Sequence, residues 1–175
     1  MTKHNESVKS TKGFAAHGGK REIVLILPDI RSAHNVGSIF RTADAAGVSR
    51  VYLCGHSPLP IDRFERVQKE IAKTALGAEK TIAWEYVADP KDVIRKISKD
   101  GFQIISLEQS DRSKHYRSIE IKSKCALVVG NEVEGISKDV LDMSDEIIEI
   151  PMSGKKESLN VAVSFGIALF GMLNI

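Results

Sequence analysis

Three polar interruptions at the ends of apolar runs carry the residues best suited to chemistry. The first, LPDIRSAHNVGSIFRTADAAGV at 27–48, sets Asn35 and Arg41 six residues apart across a glycine-containing turn and helix start. An amide and a guanidinium near one strand end can hold a polar or anionic group. Asn35 can equally cap the helix and Arg41 can be a solvated cation. The second, ALVVGNEVEGIS at 126–137, runs a buried strand into Gly130-Asn131-Glu132, where glycine permits close backbone approach and Glu132 supplies a carboxylate. The third, IEIPMSGKKESLNVAVSFGIALF at 148–170, stops a strand at Pro151 and passes through a flexible SGKKE loop. It then opens an apolar helix at Ser158-Leu159-Asn160, whose first N–H groups are expected to be free to bind. Strand ends of this kind are where open α/β sheets take their ligands.

The familiar catalytic spacings are missing. No GxGxxG follows the first apolar run, and GNEVEG at 130–135 has the glycine spacing of a P-loop but continues into Ile136 where a P-loop requires lysine. GxSxG, HExxH and paired Cys/His ligand spacings do not occur, and the five histidines, at 4, 17, 34, 56 and 115, are scattered. A metal site is not expected.

Positioning such residues requires a scaffold, and from residue 22 short β-branched runs alternate with longer amphipathic stretches, which is α/β patterning. Strands are expected at Glu22–Leu27, Arg50–Cys54, Ile82–Val87, Phe102–Leu107, Ala126–Val129 and Glu146–Ile150. Runs such as IVLIL and ALVV lack alternation, as in strands buried on both faces of a mostly parallel sheet. Asn35 is expected to cap a helix reaching Gly47, Asp89-Pro90 to open one that ends at Gly101, and Ser137 to cap a short one. Residues 158–174 form a last helix without a single charged residue, so it is either buried or packed on a second chain, and a homodimer is expected. The longest polar interval, Leu107–Lys124, holds Arg112, Lys114, Arg117, Lys122 and Lys124 and reads as a functional or mobile loop.

At 175 residues, with 42% hydrophobic and 27% charged side chains, the composition allows one sizeable core and excludes wholesale disorder. No apolar run approaches a membrane span, no signal-peptide core is visible, and Cys54 and Cys125 form no CxxC pair, so a reduced, cytoplasmic chain is expected. The net charge of +2 conceals a split. Residues 1–21 hold Lys3, Lys9, Lys12, Lys20 and Arg21 against Glu6, leaving the body at −2. The expected organisation is a basic, flexible arm over 1–21 and a single domain over 22–175. The arm either aids solubility or adds phosphate affinity.

In this order the three segments resemble the signature motifs of the SpoU (TrmH-like) class of the SPOUT superfamily of RNA methyltransferases. The residues that carry the likeness are NxGxxxRxAxxxG in the first, a strand followed by GxExxG in the second, and IPM then SLNVxVxxGIxLF in the third. TALGAEK at 74–80 also resembles this class. The resemblance implies a six-stranded sheet with a C-terminal deep trefoil knot, a homodimer, and transfer of a methyl group from S-adenosylmethionine to a ribose 2′-hydroxyl of tRNA or rRNA. Leu107, Gly130, Ile150 and Leu159 would line the cofactor pocket, with Arg41, Asn35, Glu132, Ser158 and Asn160 at the catalytic signature positions. RNA contact would fall to Arg41, Arg112, Lys114 and Arg117, helped by the arm, since the larger RNA-binding domain of many relatives is not evident ahead of the first strand. The competing reading is a catalytically inactive RNA-binding module on the same fold, against which no signature position is missing.

Overall fold

The computed structural model describes residues 21–175, so the expected basic arm lies outside the described residues except for Arg21. The chain runs β1 (Glu22–Pro28), α1 (Ala33–Ala46), β2 (Arg50–Cys54), α2 (Lys69–Ala75), α3 (Ala78–Thr81), β3 (Ala83–Val87), α4 (Pro90–Lys99), β4 (Gln103–Leu107), β5 (Lys114–His115), β6 (Lys124–Val129), α5 (Lys138–Leu141), β7 (Glu146–Glu149) and α6 (Val161–Leu173). One sheet forms in the order β3-β2-β1-β6-β4-β7-β5, and every pairing in it is parallel. Every loop that leaves a strand therefore emerges at the same carboxyl edge.

The sheet has seven strands rather than the expected six. The addition is β5, inside the polar Leu107–Lys124 interval. It carries no β-branched run to announce it and is held on the edge by pairing with β7, continued by the Tyr116 N–H donating to the Glu149 carbonyl at 3.0 Å. Lysine on an edge strand also discourages further pairing.

Strands without alternation prove to be buried from both sides. Leu25, Leu27, Val51, Leu53, Leu127 and Val129 face a core shared with α1, α2 and α6. Val24, Ile26, Tyr52, Cys54, Ala126 and Val128 face a second core closed by α4 and α5. Both cysteines are free and buried; burial pushes the Cys54 thiol up to about 12 and the Cys125 thiol up to about 11, away from the thiolate form.

Helix α1 departs from the expected start. Ser32, not Asn35, is its N-cap, with the Ser32 hydroxyl accepting from the Asn35 N–H at 3.3 Å, which places Asn35 in the first turn with its amide free for other work. The C-terminus is as expected, with Gly47 left-handed at φ 76°. Crossing α2 requires Gly37, because a Cβ there would overlap the Thr74 hydroxyl and the Ile71 carbonyl. Asp89 caps α4 ahead of Pro90, accepting from the Lys91 N–H at 2.9 Å. Helix α6 is shorter than expected, and packs beside α1, with Gly166 next to Thr42.

Candidate active site

A cavity of about 310 Å³ opens at the carboxyl edge where β4, β6 and β7 end. Its lining draws on three separated stretches: Leu107 to Gln109, Val129 to Gly135, and Glu149 onward into the start of α6. Leu107, Gly130, Ile150 and Leu159, the residues expected to form a cofactor pocket, all line it, together with Glu132 and Ser158. Its apolar wall is Leu107, Val129, Ile150, Met152, Leu159 and Val161, and its polar wall contains Glu108, Glu132, Glu134, Glu149 and Glu157. Among the described residues that line it there is no Lys or Arg. Such a cavity suits a ligand with a flat apolar portion and positive charge.

Hydrogen bonds lock the walls together across long sequence separations. The Glu132 carboxylate accepts from the Arg31 N–H at 2.9 Å, the Ser32 N–H at 3.2 Å and the Asn35 side-chain amide at 2.8 Å. With its NH2 given to a carboxylate, Asn35 has its carbonyl oxygen free, and this accepts from the Asn160 amide at 3.1 Å. Asn160 in turn uses its own oxygen to cap α6, accepting from the Ala162 and Val163 N–H groups at 3.0 and 3.3 Å. The expectation of free N–H groups at this helix start is thus narrowed, because the cap takes those of Ala162 and Val163. Burial works to raise the Glu132 pKa, but the donors from Arg31, Asn35, its own backbone and Ser32 outweigh it, leaving the carboxyl below its ordinary 4.5.

Two polar residues that sequence reasoning overlooked close the remaining wall. The Glu108 carboxylate accepts from the Ile136 N–H and the Gln109 N–H, both at 2.9 Å, and Gln109 donates its amide to the Glu157 carbonyl at 2.8 Å. Gly135 is left-handed at φ 69°, and a Cβ there would overlap Glu108, so the second glycine of GNEVEG makes room for this strap. The first, Gly130, has its side-chain space filled by Ile136 and the Gly135 backbone, so its smallness serves the tight turn as well as the cavity. Asn131 completes the turn, donating to the Asp29 carbonyl at 2.8 Å and accepting from Val133 and Glu134. The only sequence signal for Glu108 and Gln109 was their place directly after β4.

Other expected residues are not brought together. Six helical residues turn about 240° beyond a full turn, so Arg41 projects from a different face of α1 than Asn35 and is exposed outside the cavity. Arg112 pairs with Asp142 and Lys114 with Glu146, each at 2.8 Å, while the Arg117 guanidinium lies 5.2 Å over the Tyr116 ring. These three flank β5, four strand spacings or about 19 Å from β1. Within one chain, Arg41 and this group do not form a single basic patch.

Comparison with known proteins gives a consistent set of likenesses. The model of a family described as the SpoU rRNA Methylase family matches residues 22–170. A tRNA (guanosine(18)-2′-O)-methyltransferase of Aquifex aeolicus is 30% identical over 151 residues, 86% of this chain and 68% of that protein. A 23S rRNA (guanosine-2′-O-)-methyltransferase RlmB of Ralstonia nicotianae is 33% identical over 148 residues, 85% of this chain and 57% of that protein. Among solved structures, an AdoMet-bound rRNA methyltransferase from Sinorhizobium meliloti superposes with a TM-score of 0.80 at 29% identity, covering 91% of this chain and 58% of that one. The TrmH/SpoU tRNA modifying enzyme of A. aeolicus superposes with a TM-score of 0.77 at 29% identity, covering 89% and 75%. The chain spans between 57% and 68% of the length of these two curated relatives.

Proposed function

The chain belongs to the SpoU rRNA methylase family, and on that premise we propose that it is an S-adenosylmethionine-dependent methyltransferase acting on a ribose 2′-hydroxyl of tRNA or rRNA. The observation that carries this reading is a cavity lined by the second and third signature segments, to whose wall residue Glu132 the first segment is tied by the Arg31 and Ser32 N–H groups and the Asn35 amide. When bound, the cofactor supplies an electrophilic methyl group on a sulfonium sulfur. Leu107, Ile150 and Leu159 offer its adenosine an apolar slot, and the glutamate-lined wall suits its positive charge. Relatives named for tRNA and for rRNA are equally similar, so both substrates stay within the proposal.

The protein's own residues then position the nucleophile. The Arg41 guanidinium offers N–H donors and no acceptor, so it does not serve as the base. Its part is to orient the ribose hydroxyl or a neighbouring phosphate and to stabilise the developing oxyanion. Asn35, Glu132 and Asn160 act by holding loop and helix in register, and Ser158 sits at the rim.

A homodimer belongs to the same reading. Helix α6 leaves Val163 50% and Ile167 39% exposed, two apolar residues one helical turn apart on a helix with no charge. Because α1 lies beside α6, pairing across these residues brings the exposed Arg41 face next to the second copy. The deep trefoil knot of the class is proposed for the segment from β6 to α6. Support comes from Glu132 and Asn160, which tie this segment to the start of α1 over 97 and 125 residues of sequence. A cytoplasmic location fits an RNA substrate, and among the described residues no helix is long and apolar enough to cross a membrane.

Calorimetry tests the cavity. Leu159→Arg, a rim substitution that adds bulk and positive charge, should abolish measurable S-adenosylmethionine binding while thermal unfolding stays near wild type. Unchanged affinity would remove the cofactor from this cavity.

A further inference from the structure

The loop between β2 and α2 carries an ordered aromatic–cationic tip that nothing in the catalytic reading uses. Ile61 and Val67 form an antiparallel bridge, and the Asp62 N–H donates to the Arg66 carbonyl while the Glu65 N–H donates to the Asp62 carbonyl, both at 3.0 Å. The Asp62 carboxylate tightens the turn further, accepting from the Phe64 N–H at 2.8 Å, the Arg66 N–H at 3.0 Å and the Arg66 side chain at 2.7 Å. The result is a small, cross-braced hairpin rather than a loose loop. At its tip Phe64 is 62% exposed, with the guanidinium carbons of Arg63 and Arg66 at 4.7 and 5.0 Å from the ring centre. A second cavity of about 660 Å³ lies against the same hairpin, with Leu59, Ile61, Val67, Arg66, Gln68 and Lys69 in its lining.

We infer that this hairpin is an RNA contact, in which an unstacked base packs on Phe64 and its flanking guanidinium planes while Arg63 and Arg66 meet the adjoining phosphates. The inference rests on the methyltransferase reading and extends it to how the RNA is held. An aromatic face beside two guanidinium planes is the chemistry that binds single-stranded or looped RNA, stacking supplying sequence-tolerant affinity and the cations supplying phosphate contact. Position favours the substrate over a separate partner. Every strand is parallel, so the hairpin leaves β2 at the same carboxyl edge that holds the cofactor cavity. The need is also plain, because the wall of the cofactor cavity is acidic and holds no Lys or Arg among the described residues that line it.

The test uses the full chain and two fluorescein-labelled probes, bulk tRNA and a 15-nucleotide single-stranded RNA, read by anisotropy across a salt series. Phe64→Ala should weaken binding of both roughly tenfold, and Phe64→Tyr should restore it. Arg63→Gln with Arg66→Gln should lower the salt slope for the single strand by about 1.4. S-adenosylmethionine binding by calorimetry should be unchanged in all three, which separates loss of the RNA contact from loss of the fold. Wild-type methylation and RNA binding together with unaltered affinity in the Phe64 and arginine variants would overturn the hairpin assignment alone. A wild-type chain that binds neither cofactor nor RNA would overturn the methyltransferase reading with it. If Phe64→Ala instead changes the mass seen by light scattering and leaves RNA affinity intact, the tip is a protein contact and the RNA assignment falls.

Discussion

At the residue scale the site depends on a carboxylate that does structural work. Glu132 bonds two backbone N–H groups and the Asn35 amide, and through Asn35 it reaches the cap of α6. Because its folded pKa lies below the ordinary 4.5, the stability it contributes is complete above that value and is lost as pH falls through the folded pKa. Glu132→Gln should therefore be less stable than wild type at neutral pH and should show a smaller loss of Tm between pH 5 and pH 3, both read from thermal melts. Asn160→Ala removes a cap that serves two N–H groups and should cost about 1 kcal/mol. Its Glu132–Asn35 link is left standing, so cofactor binding should weaken rather than vanish. Arg41→Ala should leave cofactor affinity unchanged and lower turnover by about 100-fold or more, measured as methyl transfer at saturating cofactor. Asn35, Glu132 and Asn160 were legible as polar residues at strand ends. That Asn35 is a bridge and not a cap was not legible, because Ser32 and Asn35 are both good caps and only the tertiary partner at Glu132 decides between them. Glu108 and Gln109 escaped notice for the same reason, as their partners are backbone groups far along the chain.

At the scale of elements, legibility followed burial. Strands covered on both faces, such as β1 and β6, announce themselves by unbroken apolar runs, and their limits were close to those expected. Strand β5 is two polar residues held by backbone pairing, and α2 and α3 are short, with only Ile71, Ala75, Ala78 and Glu79 buried, so neither periodicity nor composition marks them. The α1–α2 crossing is the most demanding contact, and Gly37→Ala should cost about 1–3 kcal/mol through overlap with backbone, seen in denaturant melts. The apolar character of α6 is half explained by Phe165, Ala168, Leu169 and Met172, which are buried in the chain's own core. Val163 and Ile167 are not, and Val163→Asp with Ile167→Asp should leave secondary structure intact by circular dichroism while halving the mass in light scattering.

For the whole molecule, the parallel sheet gathers every functional loop at one edge, where a cation-suited cavity and the Arg63–Phe64–Arg66 hairpin stand on opposite sides of β1. A body of net charge −2 is a weak general phosphate binder, so RNA affinity should come from such local features and from the basic residues 1–20. Deleting residues 1–20 should reduce the salt slope of RNA binding by roughly one to three. The measurement that bears most directly on the proposed activity is transfer of tritium from methyl-labelled S-adenosylmethionine to bulk tRNA and rRNA, followed by digestion to nucleosides. Label recovered in a 2′-O-methylated nucleoside, and lost with Arg41→Ala, is the result expected; label on a base, or none on any RNA despite cofactor binding, would contradict it.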